Sequence, residues 1–316
     1  MTTTHKQNIS QLLQNYISDH QITQTVVSDR TGVRKEYINT ILKGVFTYNA
    51  GGDKTGDIPD RHFFRIADLI DYTIEKRYWA SQPTSQFTQM IAILDEARKH
   101  AYTRLIIGAT GSGKSHAIEL YVKQHPQDVF CVKVGREDTL KVLLRKVAAE
   151  LRIPASTQKS EIISDITGVL RMYHDKGRKP QLIFDESEYM RAPALCSIKE
   201  FYDYLDKYCS IVLVGTDQLT NQINKLRLRN TQGIPQLYRR IKFGIRNLPT
   251  IDRSFKLFLK EIEDKEVAKF LKRECDNYGE LHDVLVPCLR EADRLEVPLT
   301  IGLMKQVLNI QTVAFV

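Results

Sequence analysis

Eight consecutive residues, Gly108-Ala109-Thr110-Gly111-Ser112-Gly113-Lys114-Ser115, fit the pattern G-x-x-x-x-G-K-[ST] without a mismatch. Glycines at this spacing let the backbone fold around a polyphosphate, so that successive N–H groups and the positive end of the next helix point at its oxygens. Lys114 then reaches the β- and γ-phosphates of ATP and the Ser115 hydroxyl holds Mg²⁺, with His116 beside them in the first helical turn. About 70 residues further on, Leu182-Ile183-Phe184-Asp185-Glu186 reads as a buried strand delivering two carboxylates. Asp185 is placed to hold the hydration shell of the metal, and Glu186 to polarise the water that attacks the γ-phosphate.

These groups need a scaffold that brings distant segments to one edge. Leu105, Ile106 and Ile107 form a short apolar run before the glycine loop, and residues 114–124 are helix-compatible. Beyond them strand and helix alternate: 129–134, 139–151, 161–174, 181–184, then the apolar run 209–216 ending at Thr216. That alternation predicts an α/β fold, a parallel sheet with flanking helices. Phe87, Met90, Ile91, Leu94 and Ala97 predict a lead-in helix. From Asp252 onward the pattern is helical only, with helices near 254–262, 265–278, 281–294 and 299–313, which predicts a helical lid.

The opening segment is helical throughout. A helix ending near His20 is followed by a short one over 23–31, a turn at Gly32, and a third over 34–42. The string from Gln24 to Gly44 resembles the helix-turn-helix of the phage-repressor type, which implies that Arg34, Lys35 and Asn39 meet base edges in the major groove of duplex DNA. A small helical bundle used for protein contacts is the alternative. Ser28 replaces the alanine usual between the two helices, so its hydroxyl must find a carbonyl. A glycine-rich loop over 48–59 precedes a helix that Asp60 can cap. The expected layout is an all-α domain over 1–80, a polar linker over 81–86, a nucleotide-binding core over 87–251 and the lid over 252–316.

With 316 residues, 42% hydrophobic, the chain can bury two or three cores, and its net charge of +8 suits a polyanionic partner. No apolar run approaches the ~18 residues needed to span a membrane, and the start of the chain lacks the apolar centre of a signal peptide, so a cytoplasmic location is expected. The five cysteines form no C-x-x-C pair, which predicts reduced packing residues. Between Gln218 and Ile251 there is no acidic residue, yet the segment holds Lys225, Arg227, Arg229, Arg239, Arg240, Lys242 and Arg246. Such a run faces nucleic-acid phosphates, a nucleotide on a neighbouring subunit, or only solvent.

The glycine loop with an adjacent Asp-Glu pair resembles the AAA+ proteins. That resemblance implies that Thr216 is the polar residue orienting the lytic water, its alternative being a helix cap. It also implies that Arg239 or Arg240 is an arginine finger. The order of elements and the total length resemble the MuB family of transposition ATPases, related to IstB and TnsC. Membership implies a bacterial or phage-encoded protein that forms head-to-tail rings or helical filaments on double-stranded DNA when ATP is bound. It further implies that the protein presents this DNA to a transposase, which stimulates hydrolysis. A replication initiator or helicase loader, or a nucleotide-switched transcriptional regulator, would share much of this pattern.

Overall fold

The stretch Gln181–Asp185 is a strand buried at every position, which requires helices on both faces of the sheet that holds it. The computed structural model describes residues 1–49, 55–72, 78–154 and 156–309. They fall into two units, Met1–Arg77 and Tyr78–Val316.

The smaller unit contains α1 (Thr3–Asp19), α2 (Gln24–Thr31), α3 (Lys35–Leu42), strands β1 (Thr47–Asn49) and β2 (Thr55–Asp57), and α4 (Asp60–Leu69). Its core is made by Ile9, Leu13, Val27, Ile38, Ile41, Phe63 and Ile66. Gly32 ends α2 in the left-handed region at φ +65°, which frees the chain to turn into α3. Ser28 finds its carbonyl: the hydroxyl donates to the Val33 oxygen at 2.7 Å and ties α2 to the turn. Two expectations are corrected. The unit is not all-α, because the segment read as a glycine-rich loop carries the antiparallel pair β1–β2; residues 50–54 of that loop lie outside the described residues. Asp60 does not cap α4, since Pro59 holds the cap position, and the Asp60 carboxylate instead meets Lys6 at 2.9 Å. That partner holds its pKa below the usual carboxylate value.

The larger unit runs α5 (Ser85–His100), β3 (Thr103–Ile107), α6 (Lys114–Gln124), β4 (Val129–Lys133), α7 (Leu140–Glu150), α8 (Lys159–Asp175) and β5 (Gln181–Asp185). It continues with α9 (Ala192–Leu205), β6 (Ser210–Gly215), α10 (Asp217–Leu228), α11 (Ile234–Ile241), β7 (Ile245–Asn247), α12 (Lys265–Glu274), α13 (Tyr278–Leu295) and α14 (Ile301–Val307). The strands form a parallel sheet in the order β4-β5-β6-β3-β7. Side-chain alternation divides its core. Leu105, Leu182, Phe184, Ile211 and Leu213 face α7 to α11, while Ile106, Ile183, Val212 and Val214 face α5 and α6. The chain leaves β3 for the far edge at β4 and later passes from β6 across β3 to β7, so the connections reverse beside β3 and open a crevice at the strands' C-terminal ends.

Three further expectations are corrected. Residues 81–86 belong to the larger unit: Thr84 accepts from the Phe87 N–H to cap α5, and the buried Gln86 amide donates to the Thr250 carbonyl at 2.6 Å. The strand expected at 241–245 begins only at Ile245, because Ile234, Leu237 and Ile241 are spaced to bury one face of α11. Residues 254–262 form turns rather than a helix. The expected last helix is described over Ile301–Val307, and residues 310–316 lie outside the described residues. Among the described residues no helix is long and apolar enough to cross a membrane.

Phe184 is fully buried one residue before Asp185. Phe184→Ala should therefore lower stability by about 3–5 kcal/mol in chemical denaturation; a loss below about 1 kcal/mol would contradict its place in the sheet core.

Candidate functional site

Between β3 and α6 the loop turns twice through left-handed backbone, at Gly111 (φ +70°) and Gly113 (φ +86°), conformations that side chains resist. A Cβ on Gly108 would stand 2.9 Å from the Leu248 side chain, so backbone and neighbour meet closely there. Ala109 and Thr110 are exposed at the rim, whereas Ser112 is buried and its hydroxyl has no hydrogen-bond partner. The Lys114 ammonium folds over the loop and donates to the Gly108 and Ala109 carbonyls, both at 2.8 Å. Burial lowers the pKa of Lys114, opposed by the carboxylates of Glu188, Asp185 and Glu186. His116 turns aside, its Nε2 2.7 Å from the Ser81 hydroxyl.

At the foot of α6 the Ser115 hydroxyl donates to Asp185 Oδ2 at 2.7 Å. Asp185 Oδ1 accepts from the Glu186 N–H at 2.9 Å, and the carboxylate is 5% exposed. It forms no ion pair with any described residue. A buried carboxylate and a hydroxyl facing each other without a cation suit Mg²⁺, which takes one or two protein oxygens and completes its shell with water and phosphate. No group of three or more His, Cys, Asp and Glu forms a protein cage for a metal among the described residues. Glu186 adopts φ +56°, and its carboxylate is held 3.1 Å from the Lys133 ammonium at the end of the neighbouring strand β4.

Thr216 follows β6, which lies between β5 and β3 in the sheet. It occupies the N-cap position of α10 yet makes no capping hydrogen bond, and its buried hydroxyl is unpartnered. One group escaped the sequence reading. Glu188 Oε2 is buried without a partner, 2.6 Å from where a Cβ on Gly215 would lie. It sits two residues beyond the expected Asp-Glu pair, and no spacing marks it.

A cavity of about 360 Å³ joins the glycine loop to an aromatic wall. Gly113 and Lys114 line one side; Trp79, Phe87, Phe258 and Tyr278 line the other. Trp79 stacks on Phe258 with ring centres 4.5 Å apart. A π-rich wall beside a phosphate loop can hold a planar heterocycle attached to a polyanion. The N-terminus of α13 rests on the loop itself: the Gly111 carbonyl accepts from the Tyr278 and Gly279 N–H groups at 3.1 and 3.3 Å. A Cβ on Gly111 would fall 2.1 Å from Asn277 Oδ1.

The basic run separates into bound and unbound side chains. Arg240 pairs with Asp203 of α9 and lies over the Tyr202 ring, and Arg227 lies 4.1 Å over the Tyr238 ring. Arg239, Lys225 and Arg229 are exposed and make no ion pair among the described residues. In the smaller unit Arg34 and Lys35 are exposed at the start of α3 and Asn39 one turn further along it.

A family model described as an AAA domain matches residues 96–223. The chain is 24% identical over 211 residues to the Mu-like prophage FluMu DNA transposition protein B of Haemophilus influenzae, a match spanning 66% of this chain and 69% of that protein. In fold it resembles Cdc6p of Pyrobaculum aerophilum at a TM-score of 0.56, with 13% identity over 73% of this chain and 68% of that one. It likewise resembles the ORC2 protein of Aeropyrum pernix, solved as ADPNP–ADP complexes, at a TM-score of 0.51, with 14% identity over 71% and 67% of the two chains. The AAA-domain match covers β3 to β6 and reaches into α10, and the parallel sheet that holds these strands has a fold like that of Cdc6p and ORC2.

Asn277 caps α13 through the Glu280 N–H and fills the space beside Gly111. Asn277→Ala should cost about 1 kcal/mol as a lost cap. Gly111→Ala should cost more, since both its backbone and Asn277 oppose the new methyl. Equal denaturation midpoints for Gly111→Ala and the parent would rule out this docking.

Proposed function

From its likeness to the FluMu transposition protein B and its match to an AAA domain, we propose that this chain is a MuB-like AAA+ protein that binds ATP with Mg²⁺, assembles head to tail on duplex DNA, and delivers that DNA to a transposase. The observation that carries the nucleotide reading is the Ser115–Asp185 hydrogen bond beside Lys114, which joins an exposed hydroxyl-bearing residue and a buried carboxylate at the foot of the phosphate loop. The transposition reading rests on the likeness to the FluMu protein. The resemblance to ORC2 and Cdc6p bears on fold alone and does not favour a replication initiator.

In this reading the backbone of residues 108–113 and the Lys114 ammonium bind the phosphates, and Ser115 with Asp185 holds the metal. Bound Mg²⁺ supplies charge neutralisation across the phosphate oxygens. Glu186 accepts a proton from the attacking water and Thr216 orients that water through its free hydroxyl. Arg239 reaches the phosphates of a neighbouring subunit, being exposed and without an ion pair, whereas Arg240 is engaged within its own subunit by Asp203. Lys225, Arg227 and Arg229 contact DNA phosphates, and Arg34, Lys35 and Asn39 approach the major groove.

Electron microscopy of the protein with MgATP and long random-sequence duplex should show rings or filaments on the DNA. A subunit that stays monomeric and free of DNA under those conditions would overturn the proposal. Lys114→Ala should abolish ATP-dependent DNA binding in a filter or anisotropy assay. Glu186→Gln should retain ATP and prolong the assembly, and normal turnover in this variant would remove Glu186 from its role. Arg239→Ala should lower ATP turnover in the assembly on the order of 10³-fold, as loss of an arginine supplied in trans does. Arg240→Ala should leave turnover closer to normal.

A further inference from the structure

The smaller unit carries a charge cluster outside α3. Across residues 1–77 basic and acidic residues nearly balance, so nothing in the composition obliges cations to gather. Arg61 and Arg65 nevertheless stand one turn apart on α4, both exposed, a like-charge spacing that is unfavourable in an isolated helix. The Arg65 guanidinium reaches the α2–α3 turn, with Nη1 3.4 Å from where a Cβ on Gly32 would lie. Arg34, at the N-cap of α3, follows that turn by two residues. None of the three arginines makes an ion pair among the described residues: Asp60, next to Arg61, is taken by Lys6, while Glu36 and Asp68, nearest in sequence to Arg34 and Arg65, form no ion pair with them.

His62 lies where these groups converge. Its imidazole is 8% exposed and packs against the Tyr37 ring of α3 at 5.1 Å, with Nδ1 buried and unpartnered. Burial lowers its pKa first, and Arg61, Arg65 and Arg34 lower it further, so the ring is biased against adding a positive charge beside the guanidiniums. Three unpaired guanidiniums around the turn into α3 present forks of N–H donors with no protein acceptor, the arrangement that suits phosphate oxygens.

We propose that Arg61 and Arg65, together with Arg34, form a phosphate-binding patch that grips the sugar–phosphate backbone of duplex DNA while α3 faces the groove. Arg61 and Arg65 carry no sequence information in this role; they set the register of α3 on the duplex. This inference rests on the reading of the smaller unit as a DNA-binding element.

The test compares the full chain with its Arg61→Gln/Arg65→Gln double variant on a short random-sequence duplex with MgATP, with affinity measured across a salt series. Each phosphate contact contributes about −0.9 to the slope of log K against log salt. The double variant should therefore show a slope shallower by about two and weaker binding to every sequence, while its melting temperature is unchanged. Lys43→Ala, at the opposite end of α3, is the control and should leave the slope as it is. If the wild-type chain binds and the double variant keeps the wild-type slope, the patch is not a phosphate clamp, even though the unit binds DNA. A role for the arginines in holding an acidic protein partner would give this same overturning result. Failure of the wild-type chain to bind DNA at all would instead remove the reading beneath it. Should the double variant melt early, the single Arg61→Gln and Arg65→Gln changes, each expected to remove about one unit of slope, decide the question.

Discussion

Ser115 and Asp185 are joined by one hydrogen bond across seventy positions of sequence, and the larger unit is built to keep that contact. The two residues follow β3 and end β5, strands separated by β6, so all three must be parallel and finish at the same edge. Parallel strands of this kind need crossover helices, and helices on both faces need strands apolar on both faces. The division of Leu105 from Ile106, and of Phe184 from Ile183, between two cores is the packing that meets this demand. The carboxylate is thereby fixed by the end of a strand and the hydroxyl by the first turn of the helix that follows β3.

At this edge the molecule accepts features that folding alone would avoid. Ser112, Thr216 and Glu188 each bury a polar oxygen with no partner, and Lys114 is satisfied only by carbonyls of its own loop. Glu186 holds left-handed backbone without being glycine. Unpaired buried polar atoms cost free energy, and these three oxygens leave that cost uncompensated by any described protein group. The ion pair between Lys133 and Glu186 restrains a half-exposed carboxylate at the same edge.

Much of this was legible in the residues, and the gaps have physical causes. The glycine loop and the apolar run into Asp185 are local signals, and strand and helix spacing carried β3 to β6 because each run is short and continuous. Thr216 could be noticed as a polar end to such a run, but only the structure separates its backbone position at a cap from its uncapping side chain. The basic segment looked self-repelling because its partners are distant: Asp203 on α9 neutralises Arg240, and Tyr238 takes Arg227 on its face. Trp79, Phe258 and Tyr278 come together from segments far apart in sequence, and no periodicity links them. The pair β1–β2 was hidden by its glycines, which read as loop when the flanking strands are three residues long.

The seat of α13 on Gly111 has a mechanical consequence. One carbonyl at the crest of the loop receives two amides from the start of α13, and the Asn277 side chain wedges the gap beside it. Whatever pushes that crest by more than the tolerance of a hydrogen bond must either drag the helical bundle along or unhook it. The loop and the bundle are joined like a hasp and its staple: two amide hydrogen bonds and one side-chain wedge meet at a single glycine, so a side chain added there would strike the joint itself.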